Sequence, residues 1–146
     1  MKRVTLEQVQ TKVHKLKSKL CTVPHLYGIA VGGSLSYRGW SNHDVDLVPL
    51  FKTSFRMISN DKQWKILGKV HDILPNTING LAVDKGFFEV VDQYGFLKNY
   101  GHIDSINEPL IHFYNYAWEF PDEIAMRPGQ ESIESIEIFR CKDGTY

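Results

Sequence analysis

Apolar residues along the chain fall into two rhythms. From Thr5 to Leu20 they recur at helical spacing, with Leu6, Val9, Val13, Leu16 and Leu20 on one face. Thr5 and Gln8 have the form of a capping box, and Pro24 stops the element. Lys12, Lys15, Lys17 and Lys19 spread around the polar side, as on a solvated helix face. Tyr27 to Val31 then reads as a buried strand. Gly32-Gly33-Ser34 breaks that run, and Ser34 to Gly39 is expected to form a short helical turn with Ser34 as its N-cap and Gly39 closing it. Asp44-Val45-Asp46 opens a second apolar run, Leu47 to Phe51. The polar stretch from Lys52 to Asn60 predicts no element. A helix capped by Ser59 or Asn60 is predicted to run to Leu74, where Pro75 stops it.

Further on, Asn79-Gly80 marks a turn and Leu81 to Val83 a strand. Asp84-Lys85-Gly86 reads as a hairpin loop and Phe87 to Tyr94 as the return strand. Residues 94–120 are rich in aromatics, which suits core packing or a dimer contact better than stacking on a base. Leu110 to Phe120 is expected to be a helix between Pro109 and Pro121. Pro128-Gly129 marks a loop. Ser132 to Arg140 alternates through Ile133, Ile136 and Ile138 and ends as a strand suited to a sheet edge. Helix, strand, helical turn, strand, helix and hairpin together indicate an α/β (α+β) domain.

Composition narrows the function classes. The 146 residues suit one domain, with a core over 1–97 and a helix and strand extension over 98–146. The 17 basic and 17 acidic residues cancel, so no global field draws the chain to nucleic acid or anionic lipid. Cys21 and Cys141 form no CxxC pair, and two free thiols in a reducing cytoplasm is the simpler expectation, with a disulfide as the alternative. No apolar run of membrane-spanning length and no signal-peptide core is present, so a cytoplasmic location is expected.

The chemistry concentrates in residues 27–51. Residues two apart on a strand share a face, so Asp44 and Asp46 project together, roughly 6.7 Å apart along the backbone, while Val45 and Leu47 point to the core. Such a carboxylate pair is neutralised naturally by Mg²⁺, a hard cation that also takes phosphate oxygens. The glycine turn allows close backbone approach to a phosphate. No Gly-Lys-Ser/Thr follows the glycines, so this is not a P-loop. Arg38 is a candidate phosphate contact or ion-pair partner. His43, beside the acidic pair, suits capping or hydrogen bonding better than metal ligation. His71-Asp72 lacks the partner histidines of a metal site and reads as helix surface.

Gly33-Ser34, a nine-residue spacer and Asp44-Val45-Asp46-Leu47 resemble the signature of the DNA polymerase beta-like nucleotidyltransferase superfamily. Arg38-Gly39 within the spacer is similar to the small stand-alone members, which usually carry Ser where this chain has His43. The resemblance implies a nucleotidyltransferase fold, a mixed sheet with helices on one face and the active site on the other. It implies transfer of a nucleoside monophosphate from a nucleoside triphosphate such as ATP to an acceptor hydroxyl, on a small molecule or a partner protein, with release of pyrophosphate. Asp44, Asp46 and a third carboxylate would hold two Mg²⁺ ions, and Gly33, Ser34 and Arg38 would bind the triphosphate. For the third carboxylate Glu89 is favoured, since Phe88 and Val90 flank it as core residues, and Asp92 is its rival. Asp84 ranks last because Asp is common in turns. A non-catalytic nucleotide- or protein-binding module on the same fold and a small polymerase are the alternatives.

Overall fold

The structure is a computed structural model and describes residues 3–91, 97–102, 112–114 and 136–141. Local signals set most helix ends. The Thr5 hydroxyl accepts the Gln8 N–H at 3.2 Å and the Gln8 side chain accepts the Thr5 N–H at 3.0 Å, so the capping box forms as expected. The predicted long helix divides in two, α1 (Leu6–His14) and α2 (Lys17–Leu20). Helix α3 (Gly33–Arg38) ends at Gly39, whose φ of 80° is the left-handed cap that a Cβ disfavours. Its N-cap is Gly32, and Ser34 lies inside the helix, which corrects the expectation for Ser34. Helix α4 (Asn60–Ile73) starts where the Ser59 hydroxyl accepts the Lys62 N–H, and Leu74 turns extended ahead of Pro75. A 3₁₀ turn over Thr53–Met57 fills the stretch that predicted no element.

The strands are β1 (Val4–Thr5), β2 (Leu26–Val31), β3 (Trp40–Ser41), β4 (Asp44–Phe51), β5 (Thr77–Ile78), β6 (Leu81–Asp84), β7 (Phe87–Val91), β8 (Leu97–His102), β9 (His112–Tyr114) and β10 (Ile136–Arg140). The main sheet runs β10-β2-β4-β7-β8-β9 and is mixed: β4 and β7 are parallel and every other neighbour on that path is antiparallel. Among the described residues strand β10 takes the edge position expected of it. Strand β9 replaces part of the helix expected over 110–120; the rest of that stretch lies outside the described residues. β1 pairs with β3 in a separate two-stranded ribbon.

The expected hairpin of β6 with β7 does not form. Both strands run parallel to β4, β6 against Asp44–Asp46 and β7 against Leu50–Phe51. Asp46 pairs with Asp84 and Leu50 with Glu89, so the neighbour has one residue more than β4 over the same span. Pro49 lies opposite this bulge. Proline offers no N–H to a ladder, so a central strand carrying one tolerates it where pairing is interrupted. The return partner of β6 is instead β5, joined to it through the Asn79-Gly80 turn.

Helices cover one sheet face. Ile29, Val31, Val45, Leu47 and Phe51 join Val9, Val13, Leu20, Leu35, Ile66, Leu67 and Val70 in one buried cluster. Phe51 stacks on Phe55 at 4.1 Å between centroids, and both meet Phe88 edge-on at 5.8 Å. Burial of each such side chain contributes about 2–3 kcal/mol. On the opposite face Tyr27, Ala30, Val48 and Leu50 are also buried. Cys21, after α2, and Cys141, after β10, form a disulfide across 120 residues of chain, which corrects the expectation of free thiols. Such bonds persist in oxidising surroundings. No helix among the described residues is long and apolar enough to cross a membrane.

Candidate metal centre

The first residues of β4 are placed by a small polar knot. Ser41 is buried; its hydroxyl donates to the Asp44 carbonyl oxygen at 2.7 Å and accepts the His43 N–H at 3.3 Å. This turns the chain sharply from β3 into β4. Val45 is then driven into the core, and strand alternation sends Asp44 and Asp46 to the other face. The parallel register sets Asp84, the last residue of β6, beside Asp46. One carboxylate oxygen from each of Asp44, Asp46 and Asp84 lies within 4.8 Å of the others. Asp44 and Asp84 are exposed and Asp46 is half-buried. Unit charges this close repel by about 1 kcal/mol per pair in bulk water and more near a protein surface. Three hard oxygen donors at that separation suit Mg²⁺ or Mn²⁺, and not a soft metal.

The glycine turn sits directly on this cluster. The Gly32 N–H donates to the Asp46 carbonyl oxygen at 2.9 Å. Gly33 has a φ of 61°, and a Cβ there would land on Asp46 Oδ2. A side chain at residue 33 is therefore disfavoured on two independent grounds, the left-handed backbone and the contact with Asp46. Ser34 is half-buried in the first turn of α3. Arg38, at the other end of α3, is exposed; its guanidinium carbon lies 3.8 Å from the Trp40 ring centroid and its Nε donates to the Trp40 carbonyl oxygen at 3.2 Å. Arg3 reaches the same indole at 3.9 Å. His43 is exposed beside Asp44.

The favoured third carboxylate is elsewhere. Glu89 shares the sheet face of Asp44 and Asp46, as its flanking core residues imply, but its register partner is Leu50. That is four residues beyond Asp46, about 13 Å along the strand. Glu89 is also fully buried, not set on an open surface. Asp92 lies outside the described residues. The structure brings Asp84 to the pair instead, the residue whose hairpin-turn composition ranks it last in the sequence. The sequence signal that could have found it is Pro49, which has no N–H to give to one of the two ladders flanking β4 and suits the interrupted side, while β2 pairs past it without a break.

Sequence reasoning also missed Lys85. It is buried, and its ammonium donates to the His71 carbonyl oxygen at 2.7 Å, the Leu74 carbonyl oxygen at 2.8 Å and Asn76 Oδ1 at 3.0 Å. Burial pulls the Lys85 ammonium below the ordinary lysine range, with Asp72 acting the other way. His71 is held below the usual histidine range by burial and then by the Lys85 charge, again opposed by Asp72. His71-Asp72 thus belongs to the end of α4 and contributes nothing to the carboxylate cluster. Comparison with family models, with curated proteins and with solved structures finds no match to this chain.

Proposed function

We propose that the chain is a metal-dependent nucleotidyltransferase that moves a nucleoside monophosphate from a nucleoside triphosphate to an acceptor hydroxyl and releases pyrophosphate. The observation that carries this reading is the packing of the Gly32-Gly33 turn onto a cluster of three carboxylates, Asp44, Asp46 and Asp84. A phosphate-accommodating backbone and a divalent-cation site then adjoin, which is what phosphoryl chemistry requires. Asp44, Asp46 and Asp84 would hold the magnesium, with Asp84 taking the place expected of Glu89 or Asp92. Bound there, magnesium supplies activation of the acceptor hydroxyl and neutralisation of the leaving pyrophosphate.

The chain's own residues do the rest. The N–H groups after Gly32 and the Ser34 hydroxyl, in the first turn of α3, would orient the triphosphate. Arg38 contributes positive charge farther along that helix, steadied by Trp40. Fixed carboxylates need no reorganisation as charge develops, so orientation and charge neutralisation would supply most of the rate gain. The acceptor is a small molecule or a partner protein. The cytoplasmic location expected from the sequence is a separate proposal, and the Cys21–Cys141 bond weighs against it.

The test is Mg²⁺-dependent release of pyrophosphate from labelled nucleoside triphosphates incubated with cell lysate. Asp44→Ala should abolish it while leaving the fold intact. Nucleotide binding without pyrophosphate release across many acceptors would favour a non-catalytic binding module instead.

A further inference from the structure

We infer that Lys85 is a positioning residue for the carboxylate cluster: anchored under the C-terminus of α4, it fixes where β6 ends and so where Asp84 stands against Asp46. The inference rests on the reading of Asp44, Asp46 and Asp84 as a metal site.

The problem Lys85 addresses is a gap in the sheet. Asp84 is the last residue of β6 in register with β4; pairing with β8 begins at Phe87 and pairing with β4 resumes at Glu89, so Lys85 and Gly86 belong to neither ladder. Ladder hydrogen bonds therefore hold the chain up to Asp84 and not immediately after it. A strand end of that kind frays unless something else holds it. Lys85 is only 8% exposed, a rare state for lysine unless its ammonium is fully engaged. All three ammonium protons have acceptors: the carbonyl oxygens of His71 and Leu74 and the Asn76 side chain. Two of these are carbonyls at the negative end of α4.

The loop after α4 grips β6 on both sides of Asp84. The Val83 N–H donates to the Asn76 carbonyl oxygen at 2.9 Å, just before Asp84. Lys85 bonds the Asn76 side chain just after it. Asp84 itself is trimmed by the Gly86 N–H, which donates to Asp84 Oδ1 at 3.0 Å. Lys85 is directed to the end of α4 while Asp84 stays in register with Asp46, so a pin at Lys85 leaves the Asp84 carboxylate beside Asp44 and Asp46. Groups bonded directly to a metal ligand typically change affinity about 10- to 100-fold when removed, and Lys85, which acts through the backbone next to Asp84, belongs at the lower end of that range.

A Mn²⁺ titration of the full chain, followed by electron paramagnetic resonance, tests this. Lys85→Met keeps the aliphatic stem and removes the ammonium, and it should weaken Mn²⁺ binding about tenfold. Asn76→Ala removes one of three acceptors and should weaken binding about two- to threefold, and it carries the test should Lys85→Met fail to fold. Ser59→Ala removes the cap at the opposite end of α4; it should lower Tm yet leave Mn²⁺ affinity unchanged. Native affinity in both Lys85→Met and Asn76→Ala, with loss in Asp84→Asn, would reduce Lys85 to a helix cap and overturn the inference alone. No Mn²⁺ binding by the native chain, or unchanged binding by Asp84→Asn, would overturn the site reading and this inference with it.

Discussion

The two ends of β4 make opposite uses of one sheet face. At the start, Asp44 and Asp46 stand beside Asp84 with exposed or half-exposed carboxylates. At the end, Leu50 sits beside Glu89, and both are buried. Both ends use the same partner segment in the same parallel direction, and each sets a carboxylate from that segment beside β4. What separates them is position relative to the Pro49 bulge: Asp84 precedes it and Glu89 follows it, beside buried Leu50. Sharing a face is thus a weak criterion for a site. Distance along the strand decides whether a carboxylate joins a cluster or becomes part of the interior.

That contrast can be broken by substitution, the largest effect first. Phe51→Ala should cost about 3–5 kcal/mol of stability in urea unfolding, because the stacked ring leaves a cavity beside Phe55 and Phe88. Asp44→Ala, seven residues earlier on the same strand, should leave stability within about 0.5 kcal/mol, since it removes an exposed like charge. Gly33→Ala comes next. The left-handed backbone alone costs about 1–2 kcal/mol, and the methyl also displaces the Asp46 carboxylate, so Mn²⁺ binding should fall together with the unfolding midpoint. Glu89→Gln should cost about 1–3 kcal/mol by disturbing a buried polar group, with Mn²⁺ affinity unchanged.

The smallest effect is a pH dependence at the end of α4. His71 titrates below its ordinary value of 6.5 in the folded chain, so the folded state binds fewer protons than the unfolded one between those two values. Its contribution is fully present above about pH 6.5 and is lost as pH falls through the lowered value. Replacing His71 with Gln should flatten that part of a stability profile measured by urea midpoint against pH.

Much of this was legible in the sequence wherever the determinants are local. The Thr5–Gln8 capping box, the Ser59 cap, the Gly39 stop and the strand carrying Asp44 and Asp46 all follow from residues within a few positions of one another. The misreadings involve long-range pairing. Asp84-Lys85-Gly86 has hairpin composition, and only the partner strand, with its proline, shows that the chain continues past a bulge. The alternation around Glu89 gives its face, but only the register places it along β4. The Cys21–Cys141 bond needs β10 to return beside β2, a consequence of topology and not of cysteine spacing. Lys85 has the local context of a turn residue, and its acceptors lie at the end of α4 and just after it, up to 14 positions away.

The most direct measurement is anomalous diffraction from crystals of the native chain soaked in manganese chloride. The account predicts a peak bounded by the carboxylates of Asp44, Asp46 and Asp84, absent from Asp84→Asn crystals and retained in Glu89→Gln crystals. A peak elsewhere, or none between those three residues, would contradict it.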